Sequence, residues 1–404
     1  MQKSRDKPLE FKGQVTVFLS LILVLLVSLV GSMIESASIS LAKSRNQVDL
    51  TLAMESIFAE YEGKLLEDYG IFAKQGSDLL TIERRLSYYG AGNLTHEIVR
   101  MELLSDDSGK EFYRQGVAAM GGKIEEARPS IDYDYEEKAK EAFQEYEQLL
   151  EEENLADPLE MQEIGETFLL NQVLPAENIL SNKQIQIQSL PSHRQLQTGI
   201  GAQSQLSDTL TDKWLFATYL TNHFLTYVKG QNTNPLSYEI EYLLAGKGSD
   251  AENLAFVAKR LLDIRLGINY TFLQMDEERL SKAETISVAV STLMLTPEAK
   301  EIIKQALLFY WAYEDSVEDL RKLYRGELVP LVVSKEEGGI SYEGYLRALL
   351  AAEKTETLCM RALDILELNL GVQVDTLVTG LEVESTGVTR RNITYTCHAE
   401  YDYP

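Results

Sequence analysis

The sequence predicts an α+β chain, mostly helical: a long N-terminal transmembrane helix runs on into an outer domain made of that helix and a small antiparallel sheet, with a large helical insertion. Three observations predict it. Val15 to Ile34 carries no charge. Strand periodicity shows near Val99 and again in the last thirty or so residues. Between them, helical spacing dominates from Lys213 to Leu370.

The apolar run comes first. Its 20 residues cover about 30 Å at 1.5 Å each, the thickness of a bilayer's hydrocarbon core. Lys3, Arg5, Lys7 and Lys12 precede it against Asp6 and Glu10, and an excess of basic residues holds a flank in the cytoplasm. The expectation is a single-pass protein of the cell membrane, with residues 1–14 as a cytoplasmic basic leader, 15–34 as the span and the C-terminal domain extracellular. A secretory signal peptide cut near Ser36–Ser38 is the rival reading, but its apolar region usually runs to only about 7–15 residues. From Gln14 to Glu62 there is no proline and one glycine, Gly31, so one continuous helix is expected.

Beyond the span, Ala37, Leu41, Val48, Leu52, Phe58 and Ala59 are expected to pack on the domain, with Lys43, Arg45, Asp49, Glu55 and Glu60 facing water. Ser28, Ser32, Ser36, Ser40 and Ser44 recur every fourth residue. Such a winding stripe of short side chains admits a neighbouring helix; equally, serine is tolerated on a membrane helix by bonding back to its own backbone.

Residues 35–130 begin the outer domain. A short helix is expected over Leu79–Leu86, a turn at Tyr88–Asn93, and a strand placing Val99, Met101 and Leu103 on one face and Arg100 and Glu102 on the other. A helix started by Asp107 or Ser108 follows, with Phe112, Val117 and Met120 inward. Residues 131–212 read as an acidic solvated helix and then a polar, glutamine-rich connection over Leu174–Gln205, extended and partly mobile.

Residues 213–370 read as a helical subdomain, broken near Lys229–Pro235, Ala245–Asp250 and Glu336–Gly339. Phe309, Tyr310 and Trp311 are expected in its core. Residues 371–404 read as a β-hairpin turning at Ser385–Arg390; Ile393, Tyr395, Cys397, Ala399 and Tyr401 share one face of its second strand. The hairpin is expected to join the strand near Val99 and to pack on the outer half of the long helix.

Composition narrows the function. A net charge of −25 repels phosphates, so no nucleic-acid partner is expected. Two cysteines, Cys359 and Cys397, exclude a disulfide framework; they form one bridge or stay separate thiols, and a chain of this size needs no staple. The acidic residues lack a calcium-binding loop. His96, His193, His223 and His398 form no metal motif, and neither a nucleophile elbow nor a phosphate-binding glycine loop occurs. No metal, cofactor or catalytic residue is expected; a hydrolase built on a carboxylate pair has no signature to find it by.

The segment "KGQVTVFLSL", from Lys12 to Leu21, resembles the TadE and TadG type of the tight-adherence (Tad) pilus apparatus. The longer stretch from Val17 to Ala73, with "EFYRQGVAAM", "YWAYEDSVEDLRKLYRGELVPL" and "ISYEGYLRALL", is similar to an uncharacterised Gram-positive family of single-pass proteins. The pilin-like resemblance implies a helix-plus-sheet domain, partners among pilin-like or Tad-system membrane proteins, and a leader site between Gly13 and Gln14. Phe18 stands where pilins cut there carry glutamate, so an uncleaved anchor is expected. The expected role is structural, an accessory or minor pseudopilin-like component, with the bilayer as one partner and self-association open. A tethered module binding cell-wall or surface ligands is the alternative, and a membrane-anchored hydrolase a third class.

Overall fold

A computed structural model describes residues 12–121, 166–175, 180–201, 209–229, 233–330, 338–389 and 392–404. The predicted acidic helix lies largely outside the described residues, as do the leader and part of the polar connection. The predicted class holds: the chain is mostly helical, with one small antiparallel sheet and a long apolar N-terminal helix.

Helix α1 spans Lys12–Phe58 without a break. It is long and apolar enough to cross a membrane, and nothing among the described residues packs on its most apolar stretch. Short elements follow: α2 (Gly63–Tyr69), β1 (Lys74–Gln75) and α3 (Leu79–Leu86), the last begun by the Asp78 carboxylate accepting from the Thr81 amide. A π turn over Ser87–Ala91, with Gly90 at φ 119°, leads into β2 (Leu94–Leu103). The chain closes with β3 (Leu377–Val388) and β4 (Thr394–Asp402).

Strand β3 is the centre of the sheet. It pairs antiparallel with β2 on one edge and with β1 and β4 on the other. The halves of the sheet are thus nearly three hundred residues apart in sequence, as the two strand-like segments suggested. The alternation in β4 is as expected, with Cys397 and Ala399 buried and Thr396, His398 and Glu400 exposed.

Two details differ. In β2, Ile98 pairs with Val383 and Arg100 with Glu382, leaving Val99 as an extra residue in a β-bulge. The bulge inverts the alternation: Leu94 and Ile98 face the core before it, Met101 and Leu103 after it, and Val99 points to solvent. In the hairpin, Ser385–Val388 continue β3, and the chain reverses beyond Thr389, where Asn392 takes φ 59°. Asparagine tolerates that left-handed conformation better than most residues.

The helical part comprises α4 (Asp106–Met120), α5 (Glu166–Val173), α6 (Leu210–His223), α7 (Glu239–Ala245), α8 (Asp250–Met275), α9 (Glu277–Leu293), α10 (Lys300–Tyr324), α11 (Tyr342–Ala352) and α12 (Thr355–Leu370). Asp107, Ser108 and Gly109 are left-handed, so the regular turns of α4 start after Gly109 and not at Asp107 or Ser108. At Gly109 a side chain would meet Cys359 and Leu363 at 3.1 Å. One large core unites α2, α4, α6, α7, α8, α11 and α12, and Ile71, Ala73 and Leu377 beside the sheet belong to the same cluster.

The aromatic run in α10 is less central than expected. Leu308 and Ala312 are buried, Phe309 and Trp311 half-buried, and Tyr310 is exposed with its hydroxyl donating to Glu314. The polar connection is extended but pinned. Ser192 donates to Asp364 at 2.6 Å, Arg194 holds Asp375 and Glu367 at 2.8–2.9 Å, and Ile200 exchanges backbone hydrogen bonds with Met101.

Candidate interaction surface

The outer half of α1 is amphipathic on two sides. One face buries Leu50, Ala53, Met54, Ile57 and Phe58 against Leu94, Met101, Leu103, Leu381, Val383 and Cys397 of the sheet. Each such large side chain contributes about 1.5–3 kcal/mol on burial. Polar contacts fix the same face: Asn46 reaches the Tyr395 hydroxyl, the Gln47 side-chain amide donates to the His398 carbonyl, and the Tyr403 hydroxyl donates to the Phe58 carbonyl.

The expected packing face is therefore the wrong one, except for Phe58. Leu41, Val48 and Leu52 are 72, 55 and 53 % exposed, about half a turn from the buried set. Nothing among the described residues covers them. The outer half of α1 does pack on the domain as expected, but the sheet took the face of Leu50, Ala53 and Ile57.

The serine stripe is not brought to one face. Each four-residue step advances about 40° around a helix, so Ser28 and Ser44 point well apart. All five serines are exposed, and the Ser32 hydroxyl donates to the Leu29 carbonyl at 2.8 Å. Gly13 and Gln14 lie in the first turn of α1. Cys359 lies in the main core and Cys397 under the sheet, in different clusters, so the bridge left open by the sequence does not join them.

The solvent face of the sheet is acidic. Glu97 lies opposite Glu384, and Glu382 opposite Glu400. Arg100 meets Glu400 at 2.8 Å, Asp402 at 2.9 Å and Glu102 at 3.1 Å. His398 adds a 2.8 Å contact to Glu382, whose carboxyl is held below its ordinary range by that bond.

The histidines serve local packing. His96 faces the Ser385 hydroxyl at 2.8 Å, and burial lowers its pKa. His223 approaches the Asp68 carbonyl at 2.9 Å and the Tyr219 ring at 4.7 Å. Among the described residues no three His, Cys, Asp or Glu side chains are grouped to hold a metal.

Several buried carboxylates have raised pKa values because burial disfavours their charge: Asp106, Glu239, Glu241 and Asp364. Each accepts from protein donors. Asp106 takes the Leu103 and Gly199 amides; Asp364 takes Ser192 and the Tyr242 hydroxyl. Glu241 accepts from the Tyr227 amide and the Tyr342 hydroxyl. These groups tie distant segments together.

A second exposed apolar feature was missed by sequence reasoning. Leu293, Met294 and Leu295 stand largely exposed where α9 ends, with Leu295 at φ 57°. Three successive large apolar residues before Thr296-Pro297 were the signal available.

Residues 147–337 and 332–387 match the profile of a family of unknown function, DUF5702. Together they cover more than half of the chain. The chain belongs to this family. Within DUF5702 the matched part takes in α5 to α12 and most of β3, whereas α1, β1, β2 and β4 lie outside it. The residues that carried the TadE/TadG resemblance, Lys12–Leu21, are thus not among those matched. No curated protein and no solved structure matches the chain.

Proposed function

We propose that this DUF5702 protein is a single-pass membrane protein with its N-terminus in the cytoplasm, presenting an acidic domain outside and acting by protein–protein association. The observation that carries the reading is α1 itself. Its inner half meets nothing else among the described residues, and its outer half is at once a wall of the sheet's core and a surface open to a partner. A plain tether needs no such rigid continuity. An accessory or minor pseudopilin-like role in a Tad-type pilus or surface assembly system fits this arrangement, and no catalytic function is assigned. Purification of the full chain in mild detergent tests it: pilin-like or Tad-system proteins are expected to accompany the chain, and recovery without any such membrane partner overturns the assembly role.

The exposed Leu293–Leu295 tip favours the second reading, a tethered module that binds a cell-wall or surface ligand. The fragment to test begins near Glu35, because a cut at Glu62 removes Leu50 to Phe58 from the sheet's core. Binding of that fragment to isolated cell wall supports the module, and loss of binding on Leu293→Ser with Leu295→Ser locates it at the tip.

A further inference from the structure

We propose that a second copy of this chain covers the open face of α1, forming a parallel pair from the span to about Leu52. The inference rests on the single-pass reading above and names the partner. Ile34, Ala37, Leu41, Ser44 and Val48 recur at alternating steps of three and four. The same positions run back into the span through Val30, Val27 and Leu23. A heptad sustained over this length is the pattern of two helices lying side by side.

Lipid does not account for the outer part of the seam. Val48 and Leu52 lie about 21 and 27 Å beyond Ile34 along the helix axis, where the hydrocarbon has ended. Among the described residues, the sheet occupies the opposite side and leaves this one open. Two copies in one membrane enter at the same depth and in the same direction, so equal residues meet at equal heights. That is the self-complementary contact of a two-fold dimer.

Size and charge agree. From Val15 to Leu52 the helix is about 57 Å long; with a width of about 10 Å this gives roughly 570 Å² per copy. The total of about 1,100 Å² exceeds the ~1,000 Å² expected of a specific interface. The chain's net charge is −25, yet along this stretch Lys43 and Arg45 balance Glu35 and Asp49. Two copies therefore approach with least repulsion along α1.

The test uses the full chain in lipid nanodiscs, carrying Leu41→Cys, Val48→Cys or Ser36→Cys, with mild oxidation and non-reducing electrophoresis. Leu41→Cys and Val48→Cys are expected to give homodimers at least about tenfold more than Ser36→Cys, which lies off the seam. The native cysteines are buried and supply the background. In a second arm, Leu41→Glu with Val48→Glu leaves the fold intact, since both side chains are exposed, and halves the mass measured by light scattering in mild detergent. A wild-type monomer at all concentrations, or dimers through Ser36→Cys as readily as through Leu41→Cys, overturns the proposal. An adduct of Leu41→Cys with a different protein also overturns it and leaves the assembly role standing. A homodimer without pilus proteins upholds the pairing and defeats that role.

Discussion

Arg265 Nη2 lies 2.6 Å from Asp319 Oδ2, with the guanidinium wholly buried between α8 and α10. The same guanidinium donates to Asn269, to the Tyr345 hydroxyl and to the Pro330 carbonyl. Arg265 thereby joins α8, α10, α11 and the chain after α10. A buried charge of this kind is tolerated because its donors are matched; removing one partner strands the other.

Asp319→Ala is accordingly expected to destabilise the protein by about 3–5 kcal/mol, whereas replacing both partners by apolar residues of similar volume recovers most of the loss. Denaturant unfolding of the unaltered protein and the two variants reads this. Equal losses for single and double replacement would show that the pair itself is the source of stability.

Glu241 gives the domain a pH dependence. Burial pushes its carboxyl up to about 7, and its second oxygen has no partner among the described residues. Tyr342, Tyr324, Tyr238 and Asp250 are among its titratable neighbours. Since its folded pKa exceeds the ordinary value near 4.5, the folded state holds the proton more tightly. Stability therefore falls as pH rises from about 4.5 to 7 and levels off above, by an amount on the order of 3 kcal/mol. Glu241→Gln is expected to remove this slope and to be the more stable protein at pH 8. Unfolding curves from pH 4.5 to 8 decide, and an unchanged slope refutes the assignment.

Arg194 pins the polar connection by its bonds to Asp375 and Glu367. Hydrogen bonds to charged groups contribute about 1.5–3 kcal/mol each before solvent screening. Arg194→Ala should therefore loosen residues 180–201 and speed their cleavage in limited proteolysis about tenfold or more, while the core helices stay resistant. Unaltered cleavage would mean that Ser192 and Ile200 suffice.

Leu295 at φ 57° bears the left-handed penalty of a side chain, about 1–2 kcal/mol. Leu295→Gly relieves it, partly offset by the greater freedom of glycine when unfolded. A net gain of about 0.5 kcal/mol in thermal unfolding is expected. A loss would imply that the exposed leucine packs against something in solution.

What the sequence settled by itself was local. A run without charge or proline determined one long helix apolar enough to cross a membrane, and the period-two pattern of Thr394 to Asp402 determined which residues of the last strand turn inward. Tertiary structure decided what depends on partners. The bulge at Val99 is visible only in the pairing of β2 with β3, where Ile98 and Arg100 face the successive residues Val383 and Glu382. The stability of residues 180–201 comes from Asp364, Glu367 and Asp375, far away in sequence. Both faces of outer α1 carry apolar residues, and a helix's own periodicity cannot say which one a sheet will occupy. Docking of the sheet onto Leu50, Ala53 and Ile57 made that choice, and it left Leu41, Val48 and Leu52 open for another molecule.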